Sequence, residues 1–236
     1  MSESHINPLG QPIGAPLADW QSPPWLEHRS LVGETVRLEP LCPHHGEALF
    51  EAFAEDRTNA CWTYLPYGPF ANASELAEWI RLNTRAADPQ FYVVISAERA
   101  LGVAAFLRID PHSGSAEVGH IHFAPALQRT LAATEALYCM MRHVFDCGYR
   151  RFEWKCDALN APSRRAATRL GFRFEGVWRQ ATHYKGRNRD TAWYAMIDRD
   201  WPSLEAAYRT WLAPDNFPEN GQQRVALSAL TADLAR

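Results

Sequence analysis

The sequence predicts an α/β fold in a single domain, with one mixed, mostly antiparallel central sheet flanked by helices. Three observations predict it. Apolar runs come in close succession between residues 91 and 123, separated by short polar or glycine-containing links, as in an antiparallel meander. Stretches with helical periodicity stand before and after those runs, and the strands do not alternate one for one with helices, as they would in a doubly wound parallel sheet. A hydrophobic content of 47% over 236 residues is ample for one buried core.

Residues 1–33 carry Pro8, Gly10, Pro12, Gly14, Pro16, Pro23 and Pro24 together with Trp20 and Trp25, and read as an extended arm lying on the body without a fold of its own. ETVRLEPL (34–41) sets Val36 and Leu38 among polar neighbours and predicts a strand. After Pro43 a helical pattern runs through Phe50 and Phe53. Asn72 or Ser74 can cap a second helix, in which Leu76, Trp79, Ile80 and Leu82 recur at helical spacing. FYVVISA (91–97), LGVAAFLRI (101–109) and AEVGHIHF (116–123) are the three meander strands. A helix from about 130 to 147 stops at Gly148, RFEWKCDA (151–158) is a strand, and Asn160, Pro162 and Ser163 open a helix that ends at Gly171. FRFEGVWRQATHY and DTAWYAMID are two strands joined across 185–188, and WPSLEAAYRTWL (201–212) is a terminal helix. The folded unit is therefore expected over 34–198, with a helix and tail over 199–236. No internal repeat is visible.

Several functions are disfavoured. The apolar runs fall far short of the roughly 20 residues that span a bilayer, and MSESHINPLGQP lacks a basic-then-apolar leader, so the expected address is the cytoplasm with no membrane partner. Cysteines 42, 61, 139, 147 and 156 form no CxxC pair and read as reduced core thiols. A net charge of −3 argues against nonspecific nucleic-acid binding. Residues 150–189 nevertheless hold eleven Lys or Arg against three acids, enough to bind a polyanion or simply to face water. No nucleic-acid-reading motif accompanies them, so a nucleic-acid partner is not expected. His120 and His122 could share a metal, but no third ligand is evident and none is expected.

The segment QRTLAATEA (128–136) is the most informative. The amides at a helix start have no intrahelical partners and carry partial positive charge, so an anion can sit there if side chains are small, as Ala132, Ala133 and Thr134 are. There is no GxGxxG and no P-loop lysine. The order of elements, this turn after a strand, and LNAPSRRAATRLGFRFEG after the next strand together resemble the GNAT superfamily of acyl-CoA-dependent N-acyltransferases, in its RimJ/RimL-like branch, over roughly residues 34–198.

The resemblance implies an N-acetyltransferase that moves an acetyl group from acetyl-CoA to a primary amine by direct attack, with acetyl-CoA as co-substrate and no metal. The amine would belong to a small molecule or a protein N-terminus, and the enzyme would be a monomer or homodimer. The family loop, Gln/Arg-x-x-Gly-x-Gly/Ala, binds the coenzyme pyrophosphate and falls on Gln128, Arg129, Thr130, Ala132, Ala133 and Thr134. Leu131 stands where a glycine is usual, and Arg129 can offset this by pairing with a phosphate. By the same resemblance Asn160 bonds the pantetheine arm, with a plain helix cap as its other reading, and Arg165, with Arg164, faces the nucleotide end. Backbone N–H groups near His122, Phe123 and Ala124 hold the acetyl carbonyl. Glu117 takes the amine proton, its other reading being a solvent-facing strand residue. Ser163 bonds the sulfur, with a helix-start cap as its other reading, since the position of the usual tyrosine is Ala167. Trp62, Tyr64 and Tyr67 line a groove over the acetyl group or pack as a core lid. A non-catalytic acyl-CoA-binding module is the rival that Leu131 and Ala167 leave open.

Overall fold

The computed structural model describes residues 4–218 and 222–232; the ends of the expected arm and tail, and residues 219–221, lie outside the described residues. The arm contains a small hairpin, β1 (Ser4–Ile6) with β2 (Pro12–Gly14), where no structure of its own was expected. Further on it is tied to the body. Leu26 is buried and its carbonyl accepts from Gln90 Nε2 at 2.7 Å, while Tyr149 Oη donates to the Pro24 carbonyl at 3.0 Å. The arm then enters the main sheet as β3 (Leu31–Val32), beside β4 (Arg37–Pro40).

A short 3-10 turn, Pro43–His45, leads into α1 (Gly46–Phe53). α2 (Ala73–Asn83) starts where Asn72 accepts the Glu75 N–H at 2.9 Å, which removes one of the free donors of the first turn. β5 (Gln90–Ser96), β6 (Arg99–Asp110) and β7 (Ser115–Phe123) form the expected antiparallel meander. α3 (Leu131–Asp146) returns across the sheet to β8 (Arg151–Asp157), the crossover length that a parallel β7–β8 pair requires. α4 (Ala161–Arg169) precedes the long hairpin β9 (Arg173–Tyr184) and β10 (Arg187–Ile197). Its turn is tighter than expected: Lys185 (φ 48°) and Gly186 (φ 71°) alone make it, two left-handed residues as a two-residue hairpin needs. α5 (Trp201–Leu212) and α6 (Leu227–Thr231) close the described chain.

The main sheet has eight strands in the order β3-β4-β5-β6-β7-β8-β10-β9, antiparallel throughout except for β7–β8. Phe91 to Ile95 of β5 are all buried, so the centre of the sheet is covered on both faces. α1 packs on α2 and β6, α3 packs on β3, β7 and β8, and α5 packs on α3 through Tyr138, Trp201 and Tyr208. Among the described residues no helix is long and apolar enough to cross a membrane.

Two irregularities position the site. β7 pairs with β8 only from Ser115 opposite Arg151 to Val118 opposite Trp154. Beyond that point β7 follows β6 and β8 follows β10, so the sheet parts between them. Within β7 the register against β6 slips between Gly119 and His122, and His120 sits at φ 52°, which is a bulge with one extra residue on β7.

Candidate active site

The parting of β7 and β8 opens a cleft of about 560 Å³, with β9 and β10 as its far wall and the 61–66 segment over it. Strict alternation would set His120 on the opposite face from Glu117. The bulge breaks that parity, and both side chains line the cleft.

Glu117 is not a solvent-facing strand residue. It is 3% exposed, and its Oε2 lies 2.8 Å from Lys155 Nζ and 2.9 Å from Arg108 Nη1. Oε1 lies on the Gly119 side, where a Cβ on that glycine would be 3.6 Å away. Burial pushes the Glu117 carboxyl above the ordinary carboxylate range, against the pull of Lys155 and Arg108. Lys155 also pairs with Glu153 Oε2 at 2.7 Å and lies 3.7 Å above the Trp193 ring. Register supplies this arrangement, since Glu117 is opposite Glu153 on β8 and Trp193 of β10 is opposite Lys155.

His120 accepts from or donates to Tyr67 Oη at 3.2 Å, and burial, with Arg108 and Arg189 nearby, holds its pKa down to about 4. His122 points elsewhere. Its ring stacks on Trp62 at 3.8 Å and meets the edge of Phe53, and burial holds it too at about 4. Both imidazoles are neutral at pH 7.

Tyr64 lines the cleft, but Trp62 and Tyr67 do not. Trp62 is buried between His122, Phe53 and Phe70, and Tyr67 packs on Trp79 and Phe70. The lid turns these large rings inward because they complete the core beside α1 and α2, leaving the smaller contact surface of Tyr64 and Leu65 to face the opening.

Ser163 and Asn160 line the cleft at the start of α4. Asn160 caps that helix, its Oδ1 accepting the Ser163 N–H at 3.1 Å. Ser163 Oγ accepts from Trp154 Nε1 at 3.0 Å, and its hydroxyl hydrogen is directed at the Cys156 thiol, whose pKa that contact pulls down against burial. Facing them, Asp157 is buried, accepting the Leu159 N–H at 2.8 Å and Tyr184 Oη–H at 2.8 Å. Burial, then Asp157, pushes the Tyr184 phenol up to about 12, so it stays protonated. Sequence reasoning missed Arg108, Lys155, Asp157, Tyr184 and Arg189, all cleft residues. The one available signal was that Lys155 and Lys185 are the only lysines in the chain.

The helix mouth is partly as expected. The left-handed residue falls at Arg129 (φ 62°), so Leu131 is simply the first residue of a regular helix and no glycine is needed there. Thr130 Oγ1 accepts the Ala133 N–H at 3.1 Å, which leaves the amides of Leu131 and Ala132 as the donors without an intrahelical partner. Gln128 turns inward, donating to the Phe123 carbonyl at 2.8 Å and to Cys61 Sγ at 3.1 Å. The Ala124 amide is consumed as well, donating to the Leu101 carbonyl of β6 at 2.8 Å. By strand alternation the Phe123 amide then points away from β6, although Phe123 is not among the residues that line the cleft. Arg129 and Arg165 are exposed and unpaired among the described residues, Arg164 is tied to Tyr194 Oη and the Ala158 carbonyl, and Arg169 donates to Thr134 Oγ1 from both Nη atoms at 3.2 Å. The last places a cation at the first turn of α3 that the sequence did not reveal.

Among the described residues three potential metal ligands meet, Cys42, His44 and His45, on the turn before α1. They lie outside the cleft lining and are hydrogen-bonded to one another.

Residues 35–173 match the family model described as an acetyltransferase (GNAT) domain. A GCN5-related N-acetyltransferase from Brucella melitensis is 44% identical in sequence, with a TM-score of 0.89 over 92% of this chain and 100% of that one. A probable GNAT-family acetyltransferase from Chromobacterium violaceum ATCC 12472 is 42% identical, with a TM-score of 0.76 over 81% of this chain and 98% of that one. The ribosomal-protein-serine acetyltransferase of Escherichia coli (strain K12) is 25% identical over 171 residues, 70% of this chain and 94% of that protein.

Proposed function

The chain belongs to the acetyltransferase (GNAT) family, and from that premise we propose that it transfers an acetyl group from acetyl-CoA to a primary amine, of a small molecule or a protein N-terminus, bound in the β7–β8 cleft. The observation that carries the reading is the parted parallel pair. Past Val118 and Trp154 the β7 edge has backbone groups with no strand partner, so an extended, amide-bearing arm can lie along it as a missing strand would. The amides of Leu131 and Ala132, with Arg129 and Arg169 near them, suit the diphosphate of the same co-substrate.

Each cleft group then has a part. The Phe123 amide polarises the acetyl carbonyl and stabilises the negative charge that develops on its oxygen. Glu117 accepts the amine proton at Oε1, because both cations occupy Oε2. Its raised pKa keeps it a better base than an exposed glutamate. Ser163 turns its hydroxyl hydrogen from the Cys156 thiol to the departing sulfur. Tyr184 also stays protonated in the cleft, but its hydroxyl hydrogen is given to the Asp157 carboxylate, which makes it a poor proton donor and leaves the sulfur to Ser163.

Acetyl-CoA-dependent release of free thiol over a panel of amines tests this, together with the melting temperature of the protein alone. Acetyl-CoA at about 100 times its Kd should stabilise the fold by about 2.7 kcal/mol. Stabilisation without thiol release from any amine would make the protein a binding module. Neither stabilisation nor release would sink the reading altogether.

A further inference from the structure

We infer that the amine acceptor also carries a carboxylate, and that Arg189 is the residue that binds it. The inference rests on the acetyltransferase reading of the cleft and names the class of acceptor that the cleft selects. Arg189 stands on β10 at the point where its register against β9 slips, and lines the cleft with Thr191 and Trp193 of the same strand. Its Nε is buried without a hydrogen-bond partner, and Arg189 forms no ion pair with any described residue. Its guanidinium carbon lies 6.0 Å from the centre of the Tyr184 ring.

The other cleft charges are accounted for. Arg108 and Lys155 both pair with Glu117, and Lys155 pairs again with Glu153. Asp157 forms no ion pair with Arg189; its two oxygens are taken by the Leu159 amide and the Tyr184 hydroxyl. Arg189 is thus the one cation of the cleft lining without an anion among the described residues. A buried guanidinium N–H left without an acceptor is destabilising, a cost that is relieved when a ligand supplies the acceptor. A guanidinium offers two parallel donors that match a carboxylate, which a solvent molecule or a neutral amide cannot satisfy equally.

Charge points the same way. Arg108 and Lys155 are offset by Glu117 and Glu153, so an acceptor that brings only its ammonium leaves Arg189 without an anion. One that brings a carboxylate neutralises Arg189, leaving its amine to face Glu117. The cationic surroundings that help keep His120 neutral would likewise favour the free amine that attack requires. A free amino acid and a peptide whose N-terminus is followed by an acidic side chain both have this chemistry.

The test compares matched acceptors in thiol release: amino acids against their carboxamides, and short peptides with Asp or Glu against Asn or Gln at the second position. The full chain and its Arg189→Gln and Arg189→Lys variants are assayed, with melting temperatures as a folding control. The wild type should prefer the acid of at least one pair by about 100-fold in kcat/KM, the preference should collapse in Arg189→Gln, and the KM for acetyl-CoA should stay unchanged. Arg189→Lys keeps the charge and loses the fork, so it should retain part of the preference, and it keeps the test valid if the glutamine variant folds poorly. Preference among free amino acids identifies a small-molecule acceptor, and preference confined to peptides identifies a protein terminus. Carboxamides that serve as well as acids would overturn the inference while leaving the acetyltransferase reading intact. So would a rise in acetyl-CoA KM with the acid preference preserved, since Arg189 would then serve the co-substrate. If no amine is turned over, calorimetry of N-acetylated amino acids against their carboxamides decides it separately: equal binding by wild type and Arg189→Gln overturns it, and tighter binding of the acid that depends on Arg189 upholds it.

Discussion

Glu117 and Glu135 are both buried glutamates, 3% and 4% exposed, and the protein holds them by opposite means. Glu135, on α3, accepts the Glu34 N–H at 2.6 Å and the Thr35 N–H at 2.8 Å, and takes the Thr35 hydroxyl as well. Those donors belong to the turn between β3 and β4, so the carboxylate staples the edge of the sheet to α3. The turn is shaped to it: a Cβ at Gly33 would lie 2.6 Å from Glu135 Cδ. Among the described residues Glu117 has no backbone donor. It is held by two side-chain cations on a single oxygen and opens onto the cleft. Burial alone therefore does not mark a functional carboxylate. Fixed neutral donors make an anchor, whereas charged side chains leave an oxygen free and a pKa that can be tuned.

The anchor gives the largest expected effect. Glu135→Ala removes three hydrogen bonds to a charged acceptor and strands two backbone N–H groups, and should cost about 4 kcal/mol, read as a lower melting temperature or denaturant midpoint. Glu135→Gln keeps one acceptor oxygen and should lose less. Activity per folded molecule should not change in either. A folded Glu135 variant with an altered pH–rate profile would break the comparison.

Glu117→Gln should do the reverse. Lys155 keeps Glu153 and the Trp193 ring, so the fold should survive with a modest loss. kcat should fall about 100-fold, the usual contribution of a positioned base. With Glu117 as the proposed base the unprotonated carboxylate is the active form, so wild-type activity should rise with pH through its pKa, which burial places above the ordinary carboxylate range. That acidic limb should vanish in the variant. The same raised pKa has a stability sign. The contribution from Glu117 is fully present below its unfolded pKa and is lost as pH rises through the folded one.

The anchor and the cleft also differ in how far the sequence reveals them. The elements around both are legible, because helices and strands are set by local periodicity and by caps such as Thr130 and Asn160, all of which lie within a few residues of what they affect. Glu117 was singled out only through family resemblance, and its partners were not. Arg108 comes from β6 and Lys155 from β8, and Tyr184 reaches Asp157 from the tip of a hairpin. Such contacts depend on register between strands, to which no single stretch of sequence refers. The bulge at His120 is likewise hidden, since histidine is only a weak mark of a left-handed backbone, yet it decides which side chains share the cleft. The inward turn of Trp62 and Tyr67 has the same origin: composition shows an aromatic lid, and only its packing on His122, Phe53 and Trp79 shows which rings are left to face the opening.

The two cations of Glu117 sharpen the comparison further, with smaller effects. Both pull its pKa down against burial, so removing either should raise it and carry the acidic limb of the pH–rate profile to higher pH. They should not do so equally. Lys155 has 8% of its side chain exposed, where solvent screens little, and Lys155→Met should give the larger displacement. Arg108 has 61% exposed, so water and salt already weaken its hold, and Arg108→Gln should give a smaller displacement that shrinks as ionic strength rises. The expected order, measured in kcat/KM against pH at low and high salt, is Lys155→Met beyond Arg108→Gln beyond wild type. Equal displacement by the two would mean that the cleft is wetter around Glu117 than its burial implies. No displacement by either would mean that Glu117 does not set the limb, and that its cations anchor it in the way backbone amides anchor Glu135.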